Sequence, residues 1–78
     1  MNIKTEKILT LLKNAFPNSK INLDDYKGDQ NHYYLIVESK LFFNKTKIQQ
    51  HQMVYNVLKN MIGHELHAIS IKTKVINK

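Results

Sequence analysis

The chain predicts an α+β domain of order helix–strand–strand–helix–strand, with two helices packed on one face of a three-stranded mixed sheet. Three observations predict it. Ile3, Ile8, Leu11, Leu12 and Ala15 recur at helical spacing until Phe16-Pro17-Asn18 breaks the pattern. His32 to Ser39 alternates, with Tyr33, Leu35 and Val37 facing one way and Tyr34 and Ile36 the other. A second helical stripe, Ile48, Val54, Tyr55, Leu58, Met61 and Ile62, then stands between that strand and a β-rich run. The 78 residues make a single domain, 1–78. A domain this small buries only about 60% of its unfolded surface, so it has one modest core.

Helix one covers Ile3 to Ala15. Lys20 to Tyr26 reads as a short strand and Lys27-Gly28-Asp29-Gln30-Asn31 as a turn by composition, so the first two strands form a hairpin. Lys40 to Lys45 is a loop. Thr46 with Gln49 three residues on fits a capping box and starts helix two, which runs to about Ile62. Gly63 is placed as its left-handed C-terminal cap. Leu66 to about Val75 is the last strand. Helix two is a crossover, which allows the last strand to lie parallel to a neighbour by a right-handed connection. The sequence leaves open which neighbour. Tyr33, Leu35, Val37, Val54, Leu58, Ile69 and Ile71 are expected in the core.

The net charge of +6 comes from lysine alone, because the chain has no arginine. Lysine is a solvated point charge and lacks the planar fork that reads guanine or grips phosphate bidentately. Loose attraction to nucleic acid or to an acidic protein is permitted, and base-specific reading is disfavoured. An AT-rich coding sequence would also yield a chain rich in lysine, asparagine and isoleucine. There is no cysteine, which excludes disulfides, a thiol nucleophile and any self-sufficient cysteine-ligated cluster or zinc site. No stretch approaches the roughly 20 apolar residues of a membrane span. No apolar run follows the N-terminal charges, so no signal peptide is expected, and a cytoplasmic protein fits.

Catalysis finds no support. The six acidic residues are scattered, and adjacent Asp24 and Asp25 point to opposite sides of a strand. Ser39 and Ser70 have no motif around them, and there is no phosphate-binding glycine loop. The two glycines, Gly28 and Gly63, cannot make the GXXG loop that clamps a nucleic-acid backbone. The chain is therefore expected not to be an enzyme.

Histidines remain. His67 is in strand phase with Ile69 and Ile71, and by itself reads as a partly buried ring satisfied by a backbone carbonyl. His32 sits where the hairpin turn meets the second strand, an ordinary place for a polar residue. His64 and His67 have an HxxH spacing, but nearby Gly63 separates helix from strand, so the helical geometry that makes the spacing useful is lost. His64 is expected to be exposed near the helix end, where positive charge is favourable. His51 lies on the helix-two stripe and is expected to be packed or half-buried.

From about His32 to Thr73 the chain resembles the BolA family. Leu41-Phe42-Phe43-Asn44-Lys45 looks like the phenylalanine-rich loop of that family, Val54-Tyr55-x-x-Leu58 like the end of its helix, and His67-Ala68 like the pair that opens its last strand. The resemblance implies a fold similar to a class II KH domain. It also implies a non-enzymatic adaptor that pairs with a cytosolic monothiol glutaredoxin and shares a 2Fe–2S cluster in iron–sulfur trafficking or regulation. His67 matches the histidine that BolA-like proteins use as a cluster ligand. His32 is the soft donor available for the second ligand that the family often places in the hairpin loop. The alternative is a nucleic-acid-binding transcriptional regulator of the stress-response kind. It would use helix two and the last strand, with Lys45, Lys47, Lys59, Lys72 and Lys74 as a footprint for weak, non-specific DNA contact. Alone, the protein is expected to be a monomer.

Three departures from the family stand out. Asn44 precedes Lys45 where BolA-like proteins carry glycine before lysine, and asparagine tolerates positive φ next best. Gln50-His51-Gln52 replaces an Arg-His-Arg group, which removes two cations from the surface assigned to nucleic acid. The further helix that many relatives carry after the last strand is not expected here.

Overall fold

A computed structural model of the chain describes residues 3–29, 32–62 and 68–76. The elements run α1 (Ile3–Ala15), β1 (Lys20–Asp24), β2 (His32–Ser39), a single 3-10 turn (Lys40–Phe42), α2 (Lys47–Leu58) and β3 (Ala68–Val75). The sheet order is β1-β2-β3. β1 pairs antiparallel with β2, Lys20 opposite Glu38 and Asp24 opposite Tyr34. β3 pairs parallel with β2, from His32 opposite Ala68 to Ser39 opposite Val75. The expected α+β arrangement is the one observed, and β2 is the neighbour that the sequence left open.

β2 is the centre of the sheet, and its alternation decides where the core lies. Tyr33, Leu35 and Val37 are fully buried and form one cluster with Ile8, Leu12 and Phe16 from the α1 side and Val54, Leu58 and Met61 from the α2 side. Tyr33 keeps its hydroxyl satisfied at 3.1 Å from the Thr5 hydroxyl. Phe42, from the 3-10 turn, closes the core with its ring centroid 5.4 Å from that of Phe16. The turn starts where the Ser39 hydroxyl accepts the Leu41 N–H at 3.1 Å. Asn44 follows at φ +63°, the left-handed conformation that asparagine tolerates best among side-chain-bearing residues. α2 opens with the expected capping box: Thr46 Oγ1 accepts the Gln49 N–H at 3.1 Å, and Gln49 Oε1 accepts the Thr46 N–H at 2.9 Å.

Several expectations need correction. Helix two ends at Leu58 rather than Ile62. Met61 donates its N–H to the Leu58 carbonyl at 2.9 Å, a tightened turn that folds its side chain into the core. β1 ends at Asp24 rather than Tyr26, because Asp25 to Gly28 form a turn in which Gly28 adopts φ +68°. Ile48 and Tyr55, placed on the packing stripe, are exposed, and so is His51. α2 covers the core with Gln50, Val54 and Leu58 buried and Met53 and Val57 half-buried beside them, and at 3.6 residues per turn Ile48 and Tyr55 lie more than a third of a turn from the centre of that stripe. Ile69 and Ile71 are half-buried rather than buried, since β3 is an edge strand that packs against the rim of the cluster. Gly63 and the start of the expected last strand lie outside the described residues. Among the described residues no helix is long and apolar enough to cross a membrane.

Candidate functional site

The hairpin end of the sheet gathers His32, Asp29, Tyr26 and Ala68. The turn forms because Gly28 supplies positive φ and donates its N–H to the Asp25 carbonyl at 3.0 Å. This brings Asp29 back over the first residue of β2. Asp29 Oδ1 accepts the His32 backbone N–H at 3.2 Å, and Asp29 Oδ2 lies 2.7 Å from His32 Nδ1. The carboxylate therefore fixes both the start of the strand and the orientation of the ring, with Nδ1 taken and Nε2 the nitrogen left for another partner. Metal-bound histidines are commonly oriented this way, by a carboxylate on the other ring nitrogen. Tyr26 stands edge-on to the imidazole, centroids 6.4 Å apart. His32 is accessible, its side chain 31% exposed.

Ala68 is the partner of His32 across the parallel ladder. His67, the first-ranked ligand from the resemblance, precedes it and lies outside the described residues, as does His64. Among the described residues no group of three or more histidine, cysteine or acidic side chains could hold a metal ion.

The five lysines of the alternative footprint divide between two faces. Lys72 and Lys74 alternate with core-facing Ile71 and Thr73, so they stand on the sheet face away from the helices. Lys45 and Lys59 flank α2 on the other side. Lys47 is already engaged, its ammonium donating to the Thr73 carbonyl. Ser39, a hydroxyl weighed for chemistry, is buried and committed to the 3-10 turn. The contact of Asp29 with His32 was not expected from the sequence, although the spacing of three residues was the available signal. A buried polar link, Thr73 Oγ1 donating to Gln50 Oε1 at 2.6 Å, carried no such signal.

Comparisons with known proteins agree with this architecture. The family model for BolA-like proteins matches residues 8–78. An uncharacterised protein of Rickettsia prowazekii (strain Madrid E) is 41% identical over 73 residues, 94% of this chain and 95% of that protein. The NMR structure of that BolA-like hypothetical protein superimposes with a TM-score of 0.70, at 40% identity over 99% of this chain and 100% of the other. BolA1 from Arabidopsis thaliana has the same fold at a TM-score of 0.87 and 22% identity, covering 96% of this chain and 94% of that one. A protein of Haemophilus influenzae (strain ATCC 51907 / DSM 11121 / KW20 / Rd) named DNA-binding transcriptional regulator BolA is 31% identical over 45 residues, 58% of this chain and 44% of that protein. With the family matched over most of its length and the fold shared with several of its members, this chain belongs to the BolA-like protein family.

Proposed function

We propose that this protein is a non-enzymatic adaptor of the cytoplasm that pairs with a monothiol glutaredoxin and shares a 2Fe–2S cluster, giving His67 and His32 as ligands. The observation that carries the reading is the pairing of His32 with Ala68. Ala68 is the residue that follows His67 in the sequence. One ring nitrogen of His32 is held by Asp29 and the other is left for a metal. With no cysteine in the chain, the thiolates would come from the partner side, its cysteine and a glutathione thiol. A bound cluster would supply transferable iron and sulfide, at a potential that histidine ligation raises.

The test mixes the full chain with a monothiol glutaredoxin carrying its 2Fe–2S cluster and follows visible absorption and circular dichroism. The expected result is a new spectrum with the signature of histidine ligation, lost in His67→Ala and shifted in His32→Ala, both variants folded. An unchanged spectrum in His67→Ala would remove the basis of the ligand assignment.

A second reading, nucleic-acid-binding regulator, is favoured by the name of the Haemophilus relative. The footprint of Lys45, Lys47, Lys59, Lys72 and Lys74 then gives weak binding with little sequence preference and a steep dependence on salt. Sharp base selectivity that survives high salt would promote this reading over the adaptor.

A further inference from the structure

We infer that the solvent side of α2 is a docking surface for an acidic, amphipathic segment of another protein. The inference is independent of the cluster reading. Lys47 and Gln50 tie the first turn of α2 to Thr73, roughly 16 Å along β3 from Ala68 at the usual rise of a strand.

Charge is the first support. Between Glu38 and Glu65 the chain has no acidic residue and four lysines, Lys40, Lys45, Lys47 and Lys59. α2 lies wholly inside that stretch. Solvated surfaces ordinarily intersperse both signs, and a helix's first turn favours acids because the backbone dipole makes that end positive. α2 has no acid in its first turn, and Lys45 and Lys47 flank its cap. Dipole and lysines add, so this end of the helix attracts negative charge.

Exposed apolar surface is the second support. Ile48 is 73% exposed and Tyr55 48%. Spacings of four and three residues put Ile48, Gln52 and Tyr55 in one row along the helix. Gln52 also lines a surface depression with Lys45, Gln49, Met53 and Asn56, so ridge and depression are continuous. Single exposed apolar residues are ordinary. Aliphatic and aromatic anchors beside a methionine and side-chain amides, within a stretch free of acids, have the make-up of an interface.

The occupant follows from both. Nucleic acid offers little for Ile48 to pack against, and the arginines that grip phosphate bidentately are missing. A lipid surface takes up projecting apolar groups but does not fill a depression edged by amides. A protein segment with apolar residues on one face and Asp or Glu on its flanks matches the surface: apolar contact at Ile48 and Tyr55, hydrogen bonds at Gln52, and opposite charge at Lys45 and Lys59.

The test titrates the full ¹⁵N-labelled chain with a synthetic amphipathic peptide of leucine and glutamate, its leucine–lysine counterpart, and vesicles of phosphatidylcholine with phosphatidylglycerol. The leucine–glutamate peptide is expected to shift the amides of 45–59 and to bind at least about tenfold more tightly than its lysine counterpart. The double variants Ile48→Ser/Tyr55→Ser and Lys45→Glu/Lys59→Glu, whose thermal melts confirm the fold, should each lose about tenfold in affinity, as truncated anchors and reversed charges do. Shifts mapping to the sheet face, equal binding of the lysine peptide, or undiminished binding by the variants overturns the inference. Binding to vesicles without binding to the peptide replaces it with a membrane surface.

Discussion

The side chains of Gln50 and Thr73, 23 residues apart in sequence, meet in a 2.6 Å hydrogen bond from which solvent is excluded. Gln50 also donates from Nε2 to the Lys45 carbonyl at 2.8 Å, and the Lys47 ammonium reaches the Thr73 carbonyl. These contacts fasten the start of α2 to the edge strand. Apolar residues in the same places would pack, but they would not set where along β3 the helix begins.

Thr73→Val keeps the shape and removes the donor, which leaves Gln50 Oε1 buried without this partner. The expected loss is about 1–3 kcal/mol. In a domain of this size each kcal/mol lowers the melting temperature by about 4–8 °C. Thr73→Ser restores the hydroxyl and should recover part of the loss. Thermal melts of the two variants that fell together would show that the hydroxyl is not what matters here.

Adjacent phenylalanines should behave oppositely. Phe42 is fully buried against Phe16, whereas Phe43 is 62% exposed. Phe42→Ala should cost about 3–5 kcal/mol, a large part of a total stability of about 5–15 kcal/mol. Phe43→Ala should stay within about 0.5 kcal/mol. Urea denaturation reads both, and similar midpoints for the two variants would contradict the packing described.

Asn44 holds φ +63° between the 3-10 turn and α2. The Phe42 carbonyl accepts the Lys45 N–H at 3.1 Å across the bend, so its geometry is closed on both sides. Asn44→Ala should destabilise by up to about 1 kcal/mol, because it keeps the Cβ but loses the short polar side chain that offsets part of the roughly 1–2 kcal/mol cost of left-handed backbone. Asn44→Gly should be neutral or slightly stabilising, because glycine enters that region freely. Chemical denaturation of the two variants checks the sign, and a larger loss for glycine than for alanine would rule out backbone strain as the cause.

Features written in local spacing were legible in the sequence. The Thr46–Gln49 capping box involves residues three apart, the alternation of β2 is a period of two, and Asn44 sits at the turn where positive φ was expected. Features set by how much of an element is covered were not. Helical periodicity put Ile48 and Tyr55 on the packing stripe, but the width of that stripe depends on α2 meeting the sheet at its edge strand, which no residue on α2 records. The Gln50–Thr73 contact joins polar residues on different elements, so hydrophobic patterning passes over both. At the hairpin end the sequence pointed to His32 but not to Asp29, although the two stand three apart. His67, named only through the family resemblance, lies outside the described residues.

The pair of Asp29 and His32 yields the prediction that best separates a ligand from an ordinary strand-end histidine. The contact is partly exposed, 31% and 39% for the two side chains, and such ion pairs add only about 0–1 kcal/mol to stability. Asp29→Ala also removes the acceptor of the His32 backbone N–H, so it should cost about 0.5–1.5 kcal/mol of stability. If His32 is a ligand, however, the carboxylate orients the ring, and loss of such a partner costs about 10–100-fold in metal affinity. The Asp29→Ala protein mixed with cluster-loaded glutaredoxin should then form the heterocomplex spectrum at higher protein concentration than the unaltered chain, and His32→Ala should shift the spectrum itself. Asp29→Asn keeps an acceptor on the ring N–H and should fall between. Spectra and titration midpoints identical for all four proteins would return His32 to a polar residue at the end of a strand, and the second ligand would have to be sought elsewhere.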